Sequence, residues 1–406
     1  MVIYFHISGY RVPDLNENDD RLNLNGNNWN ELNDNRYSFG IALVPRQNMV
    51  KTYNKLYGSI CSLENIRLAW SKARNGKTLK KYVIEFENEL EKNILKLHLE
   101  LRNQNYQPFP LKMFVIRDPK TRIIHKSNFR DRIVHHAIIN IIEPIFDKIF
   151  IYDSYANRKG MGNLKAIQRF DKFLRKVSHN GLQNGWFINN QISGYCLKAD
   201  IKQYFQTVDH KILLNCLKRK INDEKLIFLL EKIVANFGMQ RERERVLSKG
   251  MPIGNLTSQF FANVYLNELD YFVKHKLKVK YYIRYVDDFV ILHKSKEQLG
   301  IWKDSIDKFL KERLKIELHP QKSKIISLSK GVDFLGFRNF WNHRLLRKRN
   351  IRKMQKKIKS YEKGDLSFSS VFDSYQGWQA YARWANTYGL REEIKRMIID
   401  ELWDKI

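Results

Sequence analysis

Cysteine is scarce in this chain. Cys61, Cys196 and Cys216 are the only three, far apart and without C-x-x-C spacing, so neither a disulfide framework nor a zinc site is indicated and packed thiols are expected. Long apolar runs are missing as well. None reaches the roughly 18 to 20 residues that cross a bilayer, and the opening MVIYFHISGYRV lacks the basic start and long apolar stretch of a signal peptide. No membrane partner is expected, and the expected compartment is the cytoplasm. Negative charge is in deficit: 43 Asp and Glu stand against 73 Lys and Arg, a net charge of +30. Such an excess predicts a polyanionic partner, because each Lys or Arg laid against a phosphate releases a condensed counterion. Charge alone leaves both a nucleic-acid-binding surface and an enzyme open. What the chain does have is 43% hydrophobic and 13% aromatic residues over 406 positions, enough for a large core divided into two or three domains or subdomains.

The first fifty residues differ from the rest. Asn16, Asn18, Asn23, Asn25, Asn27, Asn28, Asn30, Asn33 and Asn35 crowd a polar stretch with little apolar periodicity, which reads as loop or disorder. From Leu56 to Leu101 the pattern is helical and free of proline, with room for two or three helices before Pro108 and Pro110. KMFVIRDPKTRIIHKS predicts two short strands around a DPKT turn, and a helix follows from Asp131 to about Phe150. A Gly- and Asn-rich loop from His179 to Gly194 leads into YCLKADI, a buried-strand pattern. Helical segments are expected from His210 to about Phe237, from Thr257 to Lys276 and from Lys296 to Leu314, and a short hairpin at GVDFLGF. The fold class is therefore α+β, with strands carrying acids and helices covering one face of the sheet.

The acids carry the chemistry. An adjacent Asp pair on its own usually marks a solvated turn, but in KVKYYIRYVDDFVILHKS the pair Asp287-Asp288 is flanked by β-branched and aromatic residues on both sides. That is a hairpin whose turn projects from a core sheet. A second strand pattern, GYCLKADIKQYF, ends at Asp200. Standing alone, Asp200 would read as a cap. Carboxylates from separate strands are what two-metal nucleotidyl transfer requires, and hard oxygen donors suit Mg²⁺, with Mn²⁺ as the alternative ion.

These segments also resemble a known family. KADIKQYFQTVDH is similar to the first palm motif of reverse transcriptases, RYVDDFVIL to their Y-x-D-D motif, ELHPQKSKI to the lysine-bearing segment after it, and VDFLGF to the primer-grip hairpin. RDPKTRIIHKSNFRDRIVHHAI and IYDSYANRKGMG resemble fingers motifs, and all occur in family order. The resemblance implies a right-hand polymerase with fingers at 51–190, a palm at 191–340 and a basic helical thumb at 341–406, after an Asn-rich leader at 1–50. It implies an RNA template, a DNA product, deoxynucleoside triphosphates and two metal ions held by Asp200, Asp287 and Asp288, with the Ile201 backbone touching metal or phosphate. Phe205 matches the aromatic gate that crowds a ribose 2′-hydroxyl, although on composition it is equally a core aromatic. Lys120, Arg122, Arg158, Gln259 and Lys322 match positions near template or incoming nucleotide, where a planar Arg fork suits phosphate; a solvated surface charge is the alternative for the cations.

The segment GMPIGNLTSQFFANVYLNELD departs from the common pattern. Most reverse transcriptases have Gln-Gly and Ser-Pro here, whereas this chain has Ile253-Gly254 and Ser258-Gln259. That form resembles the enzymes of diversity-generating retroelements, which misincorporate opposite template adenines and act with a small basic accessory protein. GNNWNELNDNRYSFGIALVPR resembles the variable end of the target proteins of these elements, and a plain polar tail is the other reading. Arg349, Arg352, Lys353, Lys356 and Lys357 recur at helical spacing near Trp378, Tyr381 and Trp384, as in a thumb gripping duplex. No length remains after it for an RNase H or nuclease domain, so template removal and integration are expected from elsewhere. A basic accessory protein or a non-coding RNA is the expected further partner. Two further readings stand beside the retroelement: an anti-phage defence-associated or other orphan bacterial reverse transcriptase with a different template, and an RNA-binding maturase-like protein without polymerisation, against which the intact acids argue.

Overall fold

The computed structural model describes residues 51–117, 121–182, 192–238 and 248–403. The Asn-rich leader and Lys120 lie outside the described residues, as do residues 183–191 of the expected His179–Gly194 loop and residues 239–247.

Among the described residues the strands are β1 (Lys112–Ile116), β2 (Arg122–Lys126), β3 (Tyr195–Asp200), β4 (Tyr281–Tyr285), β5 (Asp288–His293), β6 (Lys324–Ser327), β7 (Val332–Phe334), β8 (Phe337–Asn339) and β9 (Arg344–Leu346). They form three antiparallel sheets: the hairpin β1-β2, a central sheet in the order β4-β5-β3-β6, and the small sheet β7-β8-β9. Strands β3 and β5 are apolar at successive positions because both their faces are covered. Leu197, Ala199, Phe289 and Ile291 point to one side, into a core shared with Phe260, Leu266, Ile306 and Leu310 of the helices Leu256–Tyr271 and Lys296–Arg313. Their neighbours Cys196, Val290 and Leu292 point to the other, against Phe170, Phe173 and Leu174 of the helix Asn163–Val177. Helices on one face only were expected; the alternation of burial partners along each strand puts them on both.

The helical boundaries shift for local reasons. Leu56 to Leu101 divides into four helices, Leu56–Cys61, Leu63–Arg74, Lys81–Glu87 and Leu90–Arg102. The first break falls at Ser62, whose hydroxyl accepts the Asn65 N–H at 3.2 Å and starts a new helix. The segment expected as one helix after His210 is two, His210–Lys218 and Glu224–Gly238, with Asp209 and Asp223 side chains accepting the N–H groups of Ile212 and Leu226 at their starts. The helix Leu256–Tyr271 continues to Lys276 through a π-helical turn. After β9, the helices Lys348–Glu362, Phe368–Ala382 and Tyr388–Trp403 pack on their own small core of Met354, Ile358, Val371, Ile394 and Ile398. Among the described residues no helix is long and apolar enough to cross a membrane.

The helix Phe129–Asp147 is buried along much of its length and carries an adjacent histidine pair. Burial, first of all, holds the His135 imidazole down to about 3 and the His136 imidazole down to about 4, with nearby cations adding in the same direction. Both folded values lie below the unfolded value of about 6.5, so the unfolded chain takes up protons first. The stability these neutral rings contribute is therefore complete above about pH 6.5 and is lost as pH falls toward 4, with a slope of up to about 1.4 kcal/mol per pH unit for each ring. Urea midpoints should fall steeply over that window, and His135→Leu should flatten the fall. A variant that keeps the wild-type slope would remove His135 as the cause.

Candidate active site

Register brings the acids together. Strand β3 ends at Asp200, directly opposite Asp288, the first residue of β5. Tyr285 of β4 also pairs with Asp288, which leaves Val286 and Asp287 as a two-residue hairpin turn. Tight hairpin turns need a positive φ at the first central position, and Val286 has φ 55°. A β-branched residue in the left-handed region is strained and persists only where its surroundings dictate it.

Arg284, two residues earlier and fully buried, supplies the restraint. Its Nη1 donates to the Val286 carbonyl at 3.2 Å and to Asn263 Oδ1 at 3.0 Å. Its Nε and Nη2 donate to the two Asp270 oxygens at 2.7 and 2.6 Å, and Tyr282 Oη donates to Asp270 Oδ1 at 2.7 Å. Burial opposes the charge on Arg284, but Asp270 outweighs it and holds the guanidinium above its usual range. Asn263 and Asp270 lie seven residues apart, two turns along one face of the helix Leu256–Tyr271. Sequence reasoning missed this set. The signal was present, since a cation in YYIRYV and an acid in NELDYF sit where apolar residues belong and must find each other.

Asp200 is clamped by its backbone. Its carbonyl accepts the His319 N–H at 2.7 Å and the Ser323 hydroxyl at 3.3 Å, and Ile201, which is buried, bridges to Leu318. The Lys322 ammonium donates to Asp200 Oδ2. Burial first, then the adjacent Asp200 and Asp288 carboxylates, push Asp287 up to about 6. Burial also raises Asp288, with Lys198 pulling the other way. As the side chains stand, no group of three or more His, Cys, Asp or Glu among the described residues converges closely enough to hold an ion. The donor set is nonetheless all hard oxygen, and the crowding that raises Asp287 is what a divalent cation relieves.

Comparison with known proteins decides the family. The reverse transcriptase (RNA-dependent DNA polymerase) family matches residues 116–339, more than half of the chain and every strand of the central sheet. This chain belongs to that family. Its fold is accordingly the right-hand polymerase fold, and reverse transcriptases use divalent metals such as Mg²⁺. Protein YkfC of Escherichia coli (strain K12) is 28% identical over 285 residues, 62% of this chain and 70% of that protein. Group II intron-encoded protein LtrA of Lactococcus lactis is 25% identical over 312 residues, 61% of this chain and 49% of that protein. A shorter match, 28% over 130 residues, covers 32% of this chain and 16% of Nuclear intron maturase 1 of Arabidopsis thaliana. The aligned part of this chain thus spans about half the length of the Lactococcus protein and less of the plant one.

The remaining residues of interest fall into three groups within this reverse transcriptase. Phe205 is half-buried on the short helix Tyr204–Thr207, and its carbonyl accepts the Met251 N–H at 2.6 Å, tying it to the segment that follows. In that segment Gly254 has φ +107° and lies so close to β2 that an added Cβ would stand 3.1 Å from Ile124 Cγ2. Asn255 Oδ1 accepts the Ser127 N–H at 3.2 Å, Ser258 is buried, and Ile253 and Gln259 are half-buried. Arg122 is exposed at the start of β2. Arg158 is spent internally, on Asp147 Oδ1 at 2.6 Å and the carbonyls of Ile151 and Ser154, and so anchors its own loop. On the helix Lys348–Glu362, Arg349, Arg352, Lys353 and Lys356 are exposed, while Lys357 donates to Ser374 Oγ at 2.5 Å.

Removing one member of the buried pair should separate its two roles. Arg284→Met leaves Asp270 buried without its cation and should cost about 3–5 kcal/mol, read as a lower urea midpoint. Adding Asp270→Leu should restore most of that stability, since replacing a whole buried pair by apolar residues is close to neutral. Primer extension should stay depressed in the double variant, because Val286 has lost its donor. Recovery of extension along with stability would reduce the pair to packing.

Proposed function

We propose that this chain copies an RNA template into cDNA by two-metal nucleotidyl transfer at Asp200, Asp287 and Asp288. The observation that carries this reading is the register pairing of Asp200 with Asp288 beside the Asp287 turn, on one end of one sheet. Two Mg²⁺ ions bound there would lower the pKa of a primer 3′-hydroxyl and stabilise the departing pyrophosphate. The protein's own part is positional: the hairpin turn presents Asp287, the 317–323 segment fixes the Asp200 backbone, and Lys322 brings a positive charge to the same carboxylate. Fingers at 51–190, palm at 191–340 and thumb at 341–406 remain the division we propose, with the basic face of the helix Lys348–Glu362 along the duplex.

We further propose the mutagenic retroelement role, with error-prone copying at template adenines and a basic accessory protein as partner. Its support is the Ile253-Gly254 and Ser258-Gln259 pattern, together with the bonds that link this segment to Phe205 and to Ser127, just after β2. A second reading, an intron-associated enzyme, is favoured by the intron proteins among the relatives. A near-repeat pair differing at adenines in the flanking DNA would favour the first; a surrounding intron would favour the second.

Asp287→Asn should abolish DNA synthesis while leaving RNA binding nearly intact, because it removes a ligating charge and none of the basic surface. Primer extension on an RNA template with Mg²⁺ is the measurement, and activity within about tenfold of wild type would sink the assignment.

Ile253→Gln should lower misincorporation opposite template adenine more than opposite the other bases, since one hydrogen-bonding group worth roughly 0.5–1.5 kcal/mol shifts base discrimination several-fold. Sequencing cDNA copied from one RNA by both proteins gives the spectrum. No adenine excess in the wild type would remove the retroelement role; an unchanged excess in the variant would clear Ile253.

A further inference from the structure

A cavity of about 270 Å³ opens between the β8-β9 turn, the helix Asn163–Val177 and the residues after the helix Phe368–Ala382. Its lining combines arginines with large aromatic rings: Arg175, Trp341, Arg344, Arg383 and Trp384, with Asp171 the one acid among them. That acid is already taken. The Arg344 guanidinium pairs with Asp171, and its Nη1 donates to the Trp384 carbonyl at 2.9 Å, so Arg344 is the post that holds the wall together. Arg175 and Arg383 are both exposed and give the cavity a positive balance.

The rings differ in what they have left to offer. Phe340 is already engaged: His343 stacks on it at 4.5 Å, and Gly331 approaches so closely that a Cβ there would meet the ring at 2.6 Å. Trp341 lies against Gly181, where an added Cβ would stand 2.6 Å from the indole. Of the three aromatics near the end of the helix Phe368–Ala382, Tyr381 stacks on Phe337 at 4.6 Å and Trp378 packs into the cores beneath it. Trp384 alone among those three lines the cavity, and it is 37% exposed. An open indole beside two exposed guanidinium groups is the combination that takes a flat base together with its phosphate. The volume lies just under the roughly 300 Å³ at which small-molecule pockets begin, room for one nucleotide and not for a duplex.

We propose that this cavity holds one unpaired nucleotide of a single-stranded nucleic acid, its base on Trp384 and its phosphate between Arg175 and Arg383. The site is separate from the basic face of the helix Lys348–Glu362, which suits paired strands. The inference draws on the polymerase reading only for the presence of a nucleic-acid strand, and its test needs no polymerisation.

The test is equilibrium binding of the full chain to labelled oligo-U, oligo-dT and a blunt duplex, followed by anisotropy across a salt series. Trp384→Ala should weaken single-strand binding fivefold or more and duplex binding by at least threefold less than that, and Trp384→Phe should retain most of the affinity. The double variant Arg175→Gln, Arg383→Gln should reduce the single-strand salt slope by about 0.7, the share of one neutralised phosphate. A larger loss with oligo-U assigns the nucleotide to RNA, and a larger loss with oligo-dT assigns it to DNA; either supports the site. Equal losses on single strand and duplex, or no loss in the Trp384→Ala protein, would overturn it. Because the readout is binding, an enzyme that failed to extend primers would count against the polymerase reading and not against this one.

Discussion

The buried pair of Arg284 and Asp270 is the constraint on which the rest of the site depends. An ion pair with both side chains wholly removed from water contributes little net stability when intact and costs heavily when broken. Here it links three things that must keep one relation to one another: strand β4, the helix Leu256–Tyr271 behind it, and the carbonyl of a strained turn. The strain at Val286 can be held because the guanidinium has its other donors committed to Asp270 and Asn263 and cannot swing away. The acids are thus aimed by a charge placed in the core, not by the flexible groups at the surface.

A second linkage runs from the same helix toward the hairpin β1-β2. The residues at its N-terminal approach contact Phe205 through the Met251 N–H, Ile124 through Gly254, and Ser127 through Asn255. Residues 251–255 thus stand between the β1-β2 hairpin and Phe205, and they lead directly into the helix that carries Asp270. Phe205 is held by its backbone as well as by its ring contact with Tyr204 at 5.4 Å.

The sequence made the strands legible and the helix breaks less so. The acid-bearing hairpin could be delimited almost to the residue, because β-branched and aromatic runs on both sides of Asp287-Asp288 admit few alternatives. The splits at Ser62 and at Asp223 depend on single capping side chains inside otherwise continuous helical patterns, a weaker signal. The second covered face of the central sheet was hidden for another reason: the helix Asn163–Val177 is remote in sequence from β4 and β5, and its apolar stripe does not say which sheet it covers. Arg158 illustrates the same limit at the level of one residue. Its motif resemblance pointed outward to phosphate, while its partners Asp147, Ile151 and Ser154 turn it inward, and only folded proximity reveals that choice.

Strand β4 lies at the edge of the central sheet, where a row of unpaired backbone groups would ordinarily invite a second chain to add a strand. The segment around Ser154 occupies that edge at Arg284: the Arg284 N–H donates to the Asp153 carbonyl at 2.9 Å, and the Arg284 carbonyl accepts the Tyr155 N–H at 3.0 Å. Together with the side-chain bonds of the same residue, this leaves Arg284 with neither backbone group open to another molecule. A second chain could therefore not add a strand to the β4 edge at Arg284 without first displacing the segment around Ser154.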